Sequence, residues 1–443
     1  MVTKNDLVVQ LSKKIEAAQI TNDLYDRCYE GTQPLAWLSP EAVIQLKGRL
    51  SALTINYCRL AIDSLAERLS ISGYTVDGEP APQIWQAWDD SGMPDAHSMA
   101  HIEALTLGRS FAIVWADAFG SPVISVESAR EVAAISHPLT REVTSAIKRW
   151  RDPEGTPHAV LFSPVDVSEF VGPFVPEGGE LPTEGWKQIS NTPHGLGVVP
   201  VVQFLNRGRI LETDGVSEIE SIADLIDAIS KLLSDLMVAS EVSALPKRWI
   251  TGLQIQEDED GNPIDPFAGS DAKKMLHAEP VEARFGQFSN AQLDNYINAI
   301  NLLIRQIAAI AALPDHYVGL GSAAPSSADA IRASEASLTA RAEARQRTFG
   351  PSWARVGALV QAILAGGPVR RGVEVSWRDA GTRSLAQASD SAVKLWSAGL
   401  IGRRHALKLL GYGAEETDQI MQEPTKAEPN KSALTLPREE NAA

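Results

Sequence analysis

The chain has 443 residues, of which 44% are hydrophobic and 22% charged, and its 56 acidic and 40 basic side chains give a formal net charge of -16. This composition is typical of a globular protein of roughly two to four domains. A chain this acidic lacks the clustered Lys and Arg that nonspecific binding to duplex DNA requires. Any contact with DNA must therefore be local or weak. With only Cys28 and Cys58, a disulfide framework and a cysteine-rich metal site are both excluded.

Two features argue against secretion and membrane insertion. Residues Met1 to Ile15 are polar and mixed in charge, without the apolar core of a signal peptide. The most continuous apolar run, Ile307 to Leu313, is far shorter than the ~20 residues that cross a bilayer. We therefore expect a protein of the reducing cytoplasm that does not insert into a membrane.

The first half of the chain predicts helices followed by short strands. Apolar residues from Leu38 to Leu69 recur every three or four residues and predict a helix that Gly73 ends, with further helices over 83–88 and 97–107. The period then changes to two. Strands are predicted over 110–115, 123–126, 146–151, 158–162, 167–171 and 198–204. Their connections are too short for helical crossovers, which favours antiparallel pairing.

Two long amphipathic helices follow. A helix over 217–245 begins with the S-x-x-E spacing of a capping box, and a helix over 289–313 begins with S-x-x-Q. Apolar residues at alternating spacings of three and four predict a packing seam along each helix. The seam residues are Ile219, Ile222, Ile226, Ile229, Leu233 and Leu236 on the first helix, and Leu293, Ile297, Ile300, Ile304 and Ile307 on the second.

The first long helix has more apolar surface than one antiparallel partner covers. Leu225, Leu232 and Met237 widen its seam, and either neighbouring subunits or other parts of the same chain cover this excess. The opposite face has a single base, Lys231, and six acids: Glu218, Glu220, Asp224, Asp227, Asp235 and Glu241.

The two long helices flank an insertion, 246–288, with strand-like ends at 248–253 and 281–288 and a short helix candidate at 271–276. After the second helix, a loop rich in Gly, Ala and Ser spans 315–325. A Ser326 to Asp329 cap pattern then predicts a helix through Arg347. Gly350 and Pro351 predict its end and a sharp bend before a second helix to Ala365. A strand over 373–377, helices over 385–400 and 405–410, and a disordered tail complete the prediction.

Motifs for catalysis and metal binding are not found. The sequence has no G-x-x-x-x-G-K-[ST] phosphate loop, and Gly319-Leu320-Gly321 follows a helix rather than the strand that a dinucleotide fingerprint requires. His97 and His101 have the spacing of zinc ligands, but Ser98 stands where a zincin has its general-base Glu, which favours a packed or solvated pair. We expect no enzyme activity, no metal and no cofactor.

Several short segments carry a resemblance through their order along the chain. They are NY at 56–57, IDSLAERL at 62–69, LGRSF at 107–111, GVVPVV at 197–202, NR at 206–207, GVSEI at 215–219, FGQF at 285–288 and WRD at 377–379. Together with the matched long helices, their insertion and the bent helix behind them, they make the chain resemble tailed-phage portal proteins of the SPP1-like type common in actinobacterial phages.

The resemblance implies an α+β, mainly helical portal fold with a mixed α/β wing, a two-helix antiparallel stem, a small α/β clip, a kinked tunnel helix and a short helical crown. The implied ranges are an N-terminal arm at 1–20, the wing at 21–216, stem helices at 217–245 and 289–313, the clip at 246–288, a tunnel loop at 314–327, the tunnel helix and wing return at 328–379, the crown at 380–423 and a disordered tail at 424–443.

The resemblance also implies a dodecameric ring at one capsid vertex, through which double-stranded DNA enters during packaging and leaves at infection. The implied partners are the large terminase subunit, head-completion or adaptor proteins, and the major capsid and scaffolding proteins, with no membrane. The protein would lie in the virion, and in the host cytoplasm during assembly.

Candidate contact residues follow from the implied ranges. In the tunnel loop, the DNA-facing candidates are Asp315, His316, Ser322, Ser326 and Ser327, although this loop equally reads as a linker between two helices. In the clip, the partner-binding candidates are Lys247, Arg248, Lys273 and Lys274, which equally read as ordinary solvated bases. Two other functions stay open: an enzyme acting on nucleic acid, which the missing motifs disfavour, and an oligomeric scaffold or adaptor without a DNA channel.

Overall fold

The computed structural model describes residues 3–34, 55–176, 178–244, 248–252, 284–287, 292–319, 327–381, 385–410, 412, 417 and 420–421. The chain divides into two compact units. The first unit comprises Met1–Gln19, Asp63–Val216 and Ala323–Ala443, and the second comprises Ile20–Ile62 and Ser217–Ser322.

The helices, in chain order, are α1 (Lys4–Glu30), α2 (Tyr57–Ala66), α3 (Pro82–Asp90), α4 (Met93–Leu107), α5 (Ala223–Ala244), α6 (Asp294–Ala311), α7 (Ala328–Ala365), α8 (Leu385–Ser397) and α9 (Arg403–Leu409). The strands are β1 (Ile71–Val76), β2 (Glu79–Pro80), β3 (Arg109–Ala116), β4 (Pro122–Ser128), β5 (Val132–Ser136), β6 (Val143–Arg151), β7 (Pro157–Phe162), β8 (Asp166–Val171), β9 (Lys187–Pro193), β10 (Val201–Leu205), β11 (Arg248–Thr251), β12 (Arg284–Gln287) and β13 (Val373–Trp377). Single 3-10 turns form at Ile219–Ser221 and Asp315–Val318. This mixture confirms the predicted mixed α/β class. No helix among these described elements is long and apolar enough to cross a membrane.

The largest sheet of the first unit is an antiparallel meander in the order β5-β6-β7-β8-β9. The start of α1 packs on it through Val8, Leu11 and Ile15, which recur at helical spacing and join a buried cluster with Phe170 and Trp186. The sequence analysis treated this segment as a polar arm and predicted no helix there. The start of this helix is stabilised by the sheet, because Val8, Leu11 and Ile15 join the sheet core.

Lys4 attaches the first turn of α1 to this sheet. Its Nζ donates to Asp166 Oδ2 at 2.8 Å, Ser168 Oγ at 2.9 Å and Asn191 Oδ1 at 2.9 Å. The hydrogen bond from Lys4 is the main cause that lowers the pKa of Asp166. One ammonium thus satisfies acceptors on β8 and β9.

We expect Lys4→Met to lower the free energy of unfolding by about 1 kcal/mol, because three acceptors lose a charged donor. The matched control is Lys13→Met, whose ion pair with Glu184 joins side chains that are 57% and 65% exposed. That exposed pair is expected to contribute less than about 0.5 kcal/mol. Urea unfolding of both variants measures the difference, and equal stability of the two would contradict the anchoring role of Lys4.

A second sheet, β10-β3-β4, packs against α4 and α7 within the first unit. His101 of α4 is completely buried. Trp353 Nε1 of α7 donates to His101 Nε2 at 2.8 Å. The His101 ring stacks on Phe349 with ring centroids 5.5 Å apart and an interplanar angle of 4°. Burial, and then the neighbouring His97, lower the pKa of His101 to about 3. The neutral His101 side chain is therefore part of the core and connects α4 to α7.

The third sheet has the order β13-β1-β2, and its central strand was not predicted. The sequence analysis continued a helix to Leu69 and ended it at Gly73, whereas α2 ends at Ala66 and β1 pairs antiparallel with β13. Gly357 lets α7 approach this sheet, because a Cβ atom there would lie 2.9 Å from the Tyr74 ring and from Val373. The partner strand of β1 lies far along the chain and leaves no local signal.

Helix α7 runs without interruption from Ala328 to Ala365 with Pro351 inside it. The prediction that Gly350 ends one helix and Pro351 begins another was wrong. A terminating glycine needs the left-handed conformation, which Gly350 does not adopt. Proline removes one backbone donor, and the buried side chains of Phe349 and Trp353 on either side hold the helix in place.

The predicted strands over 146–151, 158–162, 167–171 and 373–377 are confirmed with small shifts of their ends, whereas β5 and β9 were missed. Cys28 and Cys58 are free and buried. The predicted disordered tail at 424–443 lies outside the described residues.

Candidate ring-forming and channel elements

The second unit is built around the helix pair α5 and α6, which contact each other. The seam residues at the start of α5 are almost fully buried, with Ile226 at 2% and Ile229 at 1% exposure. Ser230 and Ser234 extend the buried side, each donating its hydroxyl to the carbonyl four residues earlier. The other buried seam residues are Ile219, Ile222, Ile300, Ile304 and Ile307.

The seam is shorter than the sequence predicted. Leu233, Leu236 and Leu293 are half-buried, and Ile297 is 45% exposed, so the structure does not bring Ile297 into the seam. The cause is the start of α6, which falls at Asp294 rather than 289. Ile297 therefore lies on the first turn of the helix, and burial begins one turn later at Ile300.

The start of α5 differs from the one predicted at Ser217. Ser217 Oγ accepts from Ile219 N at 3.0 Å, and a 3-10 turn over Ile219–Ser221 precedes α5, which begins at Ala223. At α6 the residue before the helix, Leu293, makes no side-chain cap hydrogen bond. Ser289, the other predicted capping residue, lies outside the described residues.

Large apolar side chains stay exposed on both helices. Met237 of α5 is 46% exposed, and Leu302 and Ile310 of α6 are 58% and 40% exposed. Leu225 and Leu232 are half-buried. Of the three residues predicted to widen the seam, Met237 therefore stays exposed and Leu225 and Leu232 are partly covered.

The acidic face of α5 is described in part. Lys231 Nζ pairs with Asp235 Oδ2 at 2.6 Å, one turn apart on the helix. Burial, and then the like charge of Asp224, raise the pKa of Asp227. This face keeps an excess of negative charge, because Lys231 is its only base.

The tunnel-loop candidates are described only at the ends of the loop. Ala312 adopts a left-handed conformation with φ 58° and ends α6, and Asp315 and His316 are exposed in the following 3-10 turn. The His316 ring lies edge-on to Tyr317 with ring centroids 4.9 Å apart. Ser322 and Ser326 lie outside the described residues.

Ser327 caps α7, one residue later than the predicted cap at Ser326. Its extended backbone precedes the helix, and its Oγ accepts from Ala330 N at 3.2 Å. A side-chain oxygen at this position satisfies one of the backbone donors that a helix start leaves unpaired. The hydroxyl of Ser327 therefore has a local structural partner.

Ser327→Ala is expected to destabilise the first turn of α7 by about 1 kcal/mol, because the Ala330 amide loses its acceptor. Hydrogen exchange should show faster exchange at that amide, with global unfolding little changed. Ser334→Ala is the control, since Ser334 donates to the Ile331 carbonyl within the helix and its removal leaves no amide unpaired. Unchanged exchange at Ala330 would show that the cap contributes nothing.

Most of the clip candidates lie outside the described residues. β11 and β12 form an antiparallel pair in which Arg248 lies opposite Gln287. This pair lies within the strand-like ends that the sequence predicted. Lys247, Lys273 and Lys274, and the helix candidate at 271–276, lie outside the described residues. Across the residues that are described, no group of His, Cys, Asp and Glu side chains is placed to hold a metal ion.

Comparison with known proteins shows the family to which the chain belongs. Residues 25–429 match a family model described as phage portal protein, SPP1 Gp6-like. Because this match covers most of the 443 residues, the chain belongs to the SPP1 Gp6-like family of phage portal proteins. The resemblance drawn from the short sequence segments is thereby confirmed.

Two related proteins are themselves phage portal proteins. The chain is 31% identical over 387 residues to the portal protein of Mycobacterium phage L5, covering 83% of this chain and 77% of that protein. It is 31% identical over 411 residues to the portal protein of Mycobacterium phage D29, covering 86% of this chain and 81% of that protein.

Solved structures with some similarity come from gene transfer agent particles. A chain of the virion of the native particle has a TM-score of 0.46 and 15% identity, with 86% of this chain and 96% of that chain covered. A chain of the neck of the native particle, computed with C12 symmetry, has a TM-score of 0.47 and 13% identity, with coverage of 86% and 95%.

Proposed function

We propose that this protein forms a ring-shaped DNA channel at one capsid vertex, through which the genome enters during packaging and leaves at infection. The observation that carries the proposal is the family match over residues 25–429, together with the two portal protein relatives. The ring is a dodecamer in which α5 and α6 belong to the stem. Its contacts are head-to-tail, so a closed ring leaves no unsatisfied interface.

The exposed apolar residues of the stem support assembly. Met237, Leu302 and Ile310 would each lose exposed apolar area against a neighbouring copy, at about 25 cal/mol per Å² buried. A monomer has to leave this surface in water. The uncovered apolar side chains are therefore reasonable contact residues of the stem.

The charge of the chain suits a channel that touches DNA without gripping it. Twelve copies at -16 each give a formal charge of about -190, and an acidic wall repels phosphates within about 8 Å at physiological salt. Fixed cationic anchors would slow the passage of DNA. In this proposal the exposed Asp315 and His316, with Ser322, Ser326 and Ser327, belong to the tunnel loop at 314–327.

The remaining ranges take their portal roles in the same proposal. The clip at 246–288 docks the large terminase subunit and later the head-completion or adaptor protein, with Lys247, Arg248, Lys273 and Lys274 as candidate contacts. The wing and crown face the major capsid and scaffolding proteins. The protein has a structural role, assembles in the host cytoplasm and remains in the virion.

The alternative is an oligomeric scaffold or adaptor without a DNA channel, because exposed apolar helices suit any assembly. Negative-stain class averages of the purified full chain separate the two. The channel predicts top views of a closed ring with an open centre wide enough for duplex DNA. Particles with a filled centre, or open chains of subunits, would favour the scaffold.

A further inference from the structure

Three arginines line one cleft in the first unit. The cleft has a volume of about 360 Å³ and lies between the turn before β6, strand β10 and the middle of α7. Arg141, Arg207 and Arg355 line it from these three elements, and Glu142 is the one carboxylate among its lining residues. This concentration of positive charge is unusual on so acidic a chain. We refer to these three arginines as the arginine cleft.

Within the described part of the chain, none of the three guanidinium groups forms an ion pair. Arg141 Nη2 donates to the Ile210 carbonyl at 3.1 Å, which is a bond to a neutral group. Burial, and then the like charge of Arg141, lower the pKa of the Arg207 guanidinium. The cleft therefore holds charges that repel one another and that an incoming anion would stabilise.

The backbone of Arg141 is strained for an arginine. Its φ of 59° lies in the left-handed region, where a side chain carries a steric cost and glycine carries none. A glycine here would relieve this backbone strain but would also remove the hydrogen bond to the Ile210 carbonyl. This position therefore offers a variant that removes charge at a small net cost to the fold.

An apolar rim adjoins the arginine cleft. It consists of Leu139, Ile210 and Leu211, which are 87%, 79% and 90% exposed. The hydrogen bond from Arg141 to the Ile210 carbonyl connects the two turns that carry these residues. A nucleic acid phosphate or a free anion would match the arginines but would leave the apolar rim in water. A protein segment with both carboxylates and apolar side chains would cover both.

We propose that the arginine cleft and the apolar rim are a subunit contact that docks an acidic, partly apolar segment of a second copy of this chain. The proposal rests on the proposed ring function. The choice of a second copy follows from charge, since 56 acidic side chains against 40 basic ones give each neighbouring copy an excess of carboxylates. Such a contact combines charge complementarity, which fixes orientation, with apolar burial.

The experiment compares assembly of the full chain with that of two charge-reversed variants by sedimentation velocity across a concentration series. The test variant is Arg207→Glu with Arg355→Glu. The matched control is Arg370→Glu with Arg371→Glu, which changes the charge equally at two exposed arginines that form no ion pair within the described residues. We expect the test variant to need at least a tenfold higher concentration to assemble, and the control to assemble like the original chain.

Two further variants distinguish a weakened subunit contact from misfolding. Arg141→Gly should assemble less well while its melting temperature stays close to that of the original chain, because the relieved backbone strain offsets the lost hydrogen bond to Ile210. Leu211→Ser should also weaken assembly, because a side chain that is 90% exposed contributes little to the fold of the isolated chain. Assembly of the original chain should weaken at 1 M salt, where the charges are screened.

The outcomes are distinguishable. If the original chain forms rings and all three cleft and rim variants form them equally well, this contact is wrong and the proposed function stands. If the original chain forms no oligomer at all, both are wrong. If assembly is unchanged but a short DNA duplex or inorganic phosphate binds the original chain and not the charge-reversed variant, the occupant is an anion of that source and the docking of a second copy is contradicted.

Discussion

Replacing Ile226 and Ile229 together with Asp should lower the free energy of unfolding by more than about 4 kcal/mol. Both side chains are almost fully buried on α5, at 2% and 1% exposure. Each substitution removes about 1.5–3 kcal/mol of apolar burial and places a carboxylate at a position almost closed to water. Urea unfolding followed by circular dichroism measures the loss.

Ile297→Asp is the matched control for this experiment. It makes the same chemical change on the partner helix, at a position that is 45% exposed. We expect a cost below about 1 kcal/mol in the isolated chain, because the carboxylate stays hydrated. If the double variant were as stable as this control, the assignment of the seam would be wrong.

Acid should destabilise the first unit through His101. The folded pKa of about 3 lies well below the ordinary value of 6.5, so the unfolded chain binds the proton more readily between these values. The contribution of the neutral ring is complete above pH 6.5 and is lost progressively as the pH falls towards 3, with a total of about 5 kcal/mol. Protonation would also remove the acceptor for Trp353 Nε1.

His101→Gln tests this source of acid sensitivity. Glutamine cannot gain the proton, so stability should fall less steeply between pH 6.5 and 3, although the variant is less stable at neutral pH. His405→Gln is the control, because it makes the same substitution at an exposed position. A pH profile of His101→Gln parallel to that of the original chain would assign the acid sensitivity to other groups.

Local periodicity explains which elements the sequence predicted. The strand over 373–377 alternates apolar and polar residues by itself, and the central seam from Ile222 to Ile229 repeats at helical spacing. Elements that depend on distant partners were missed. Helix α1 has a mostly polar surface, and Val8, Leu11 and Ile15 gain their partners only when the five-stranded sheet forms. Strand β1 likewise depends on β13.

The predictions of candidate functional residues also depended on local sequence signals. The buried centre of the seam was predictable, but the error at Ile297 came from placing the start of α6 at 289, whereas the helix begins at Asp294. The arginine cleft had no sequence signal at all. Its three arginines lie far apart along the chain, and only packing of α7 against the β10 sheet brings them together.

Native mass spectrometry of the purified full chain tests the central claim most directly. A closed ring of twelve copies of 47.7 kDa would have a mass of about 570 kDa, with no ladder of larger assemblies because a closed ring has no free interface. A mass at or near this value at micromolar concentration is the predicted result. A monomer or dimer at every usable concentration would contradict the account.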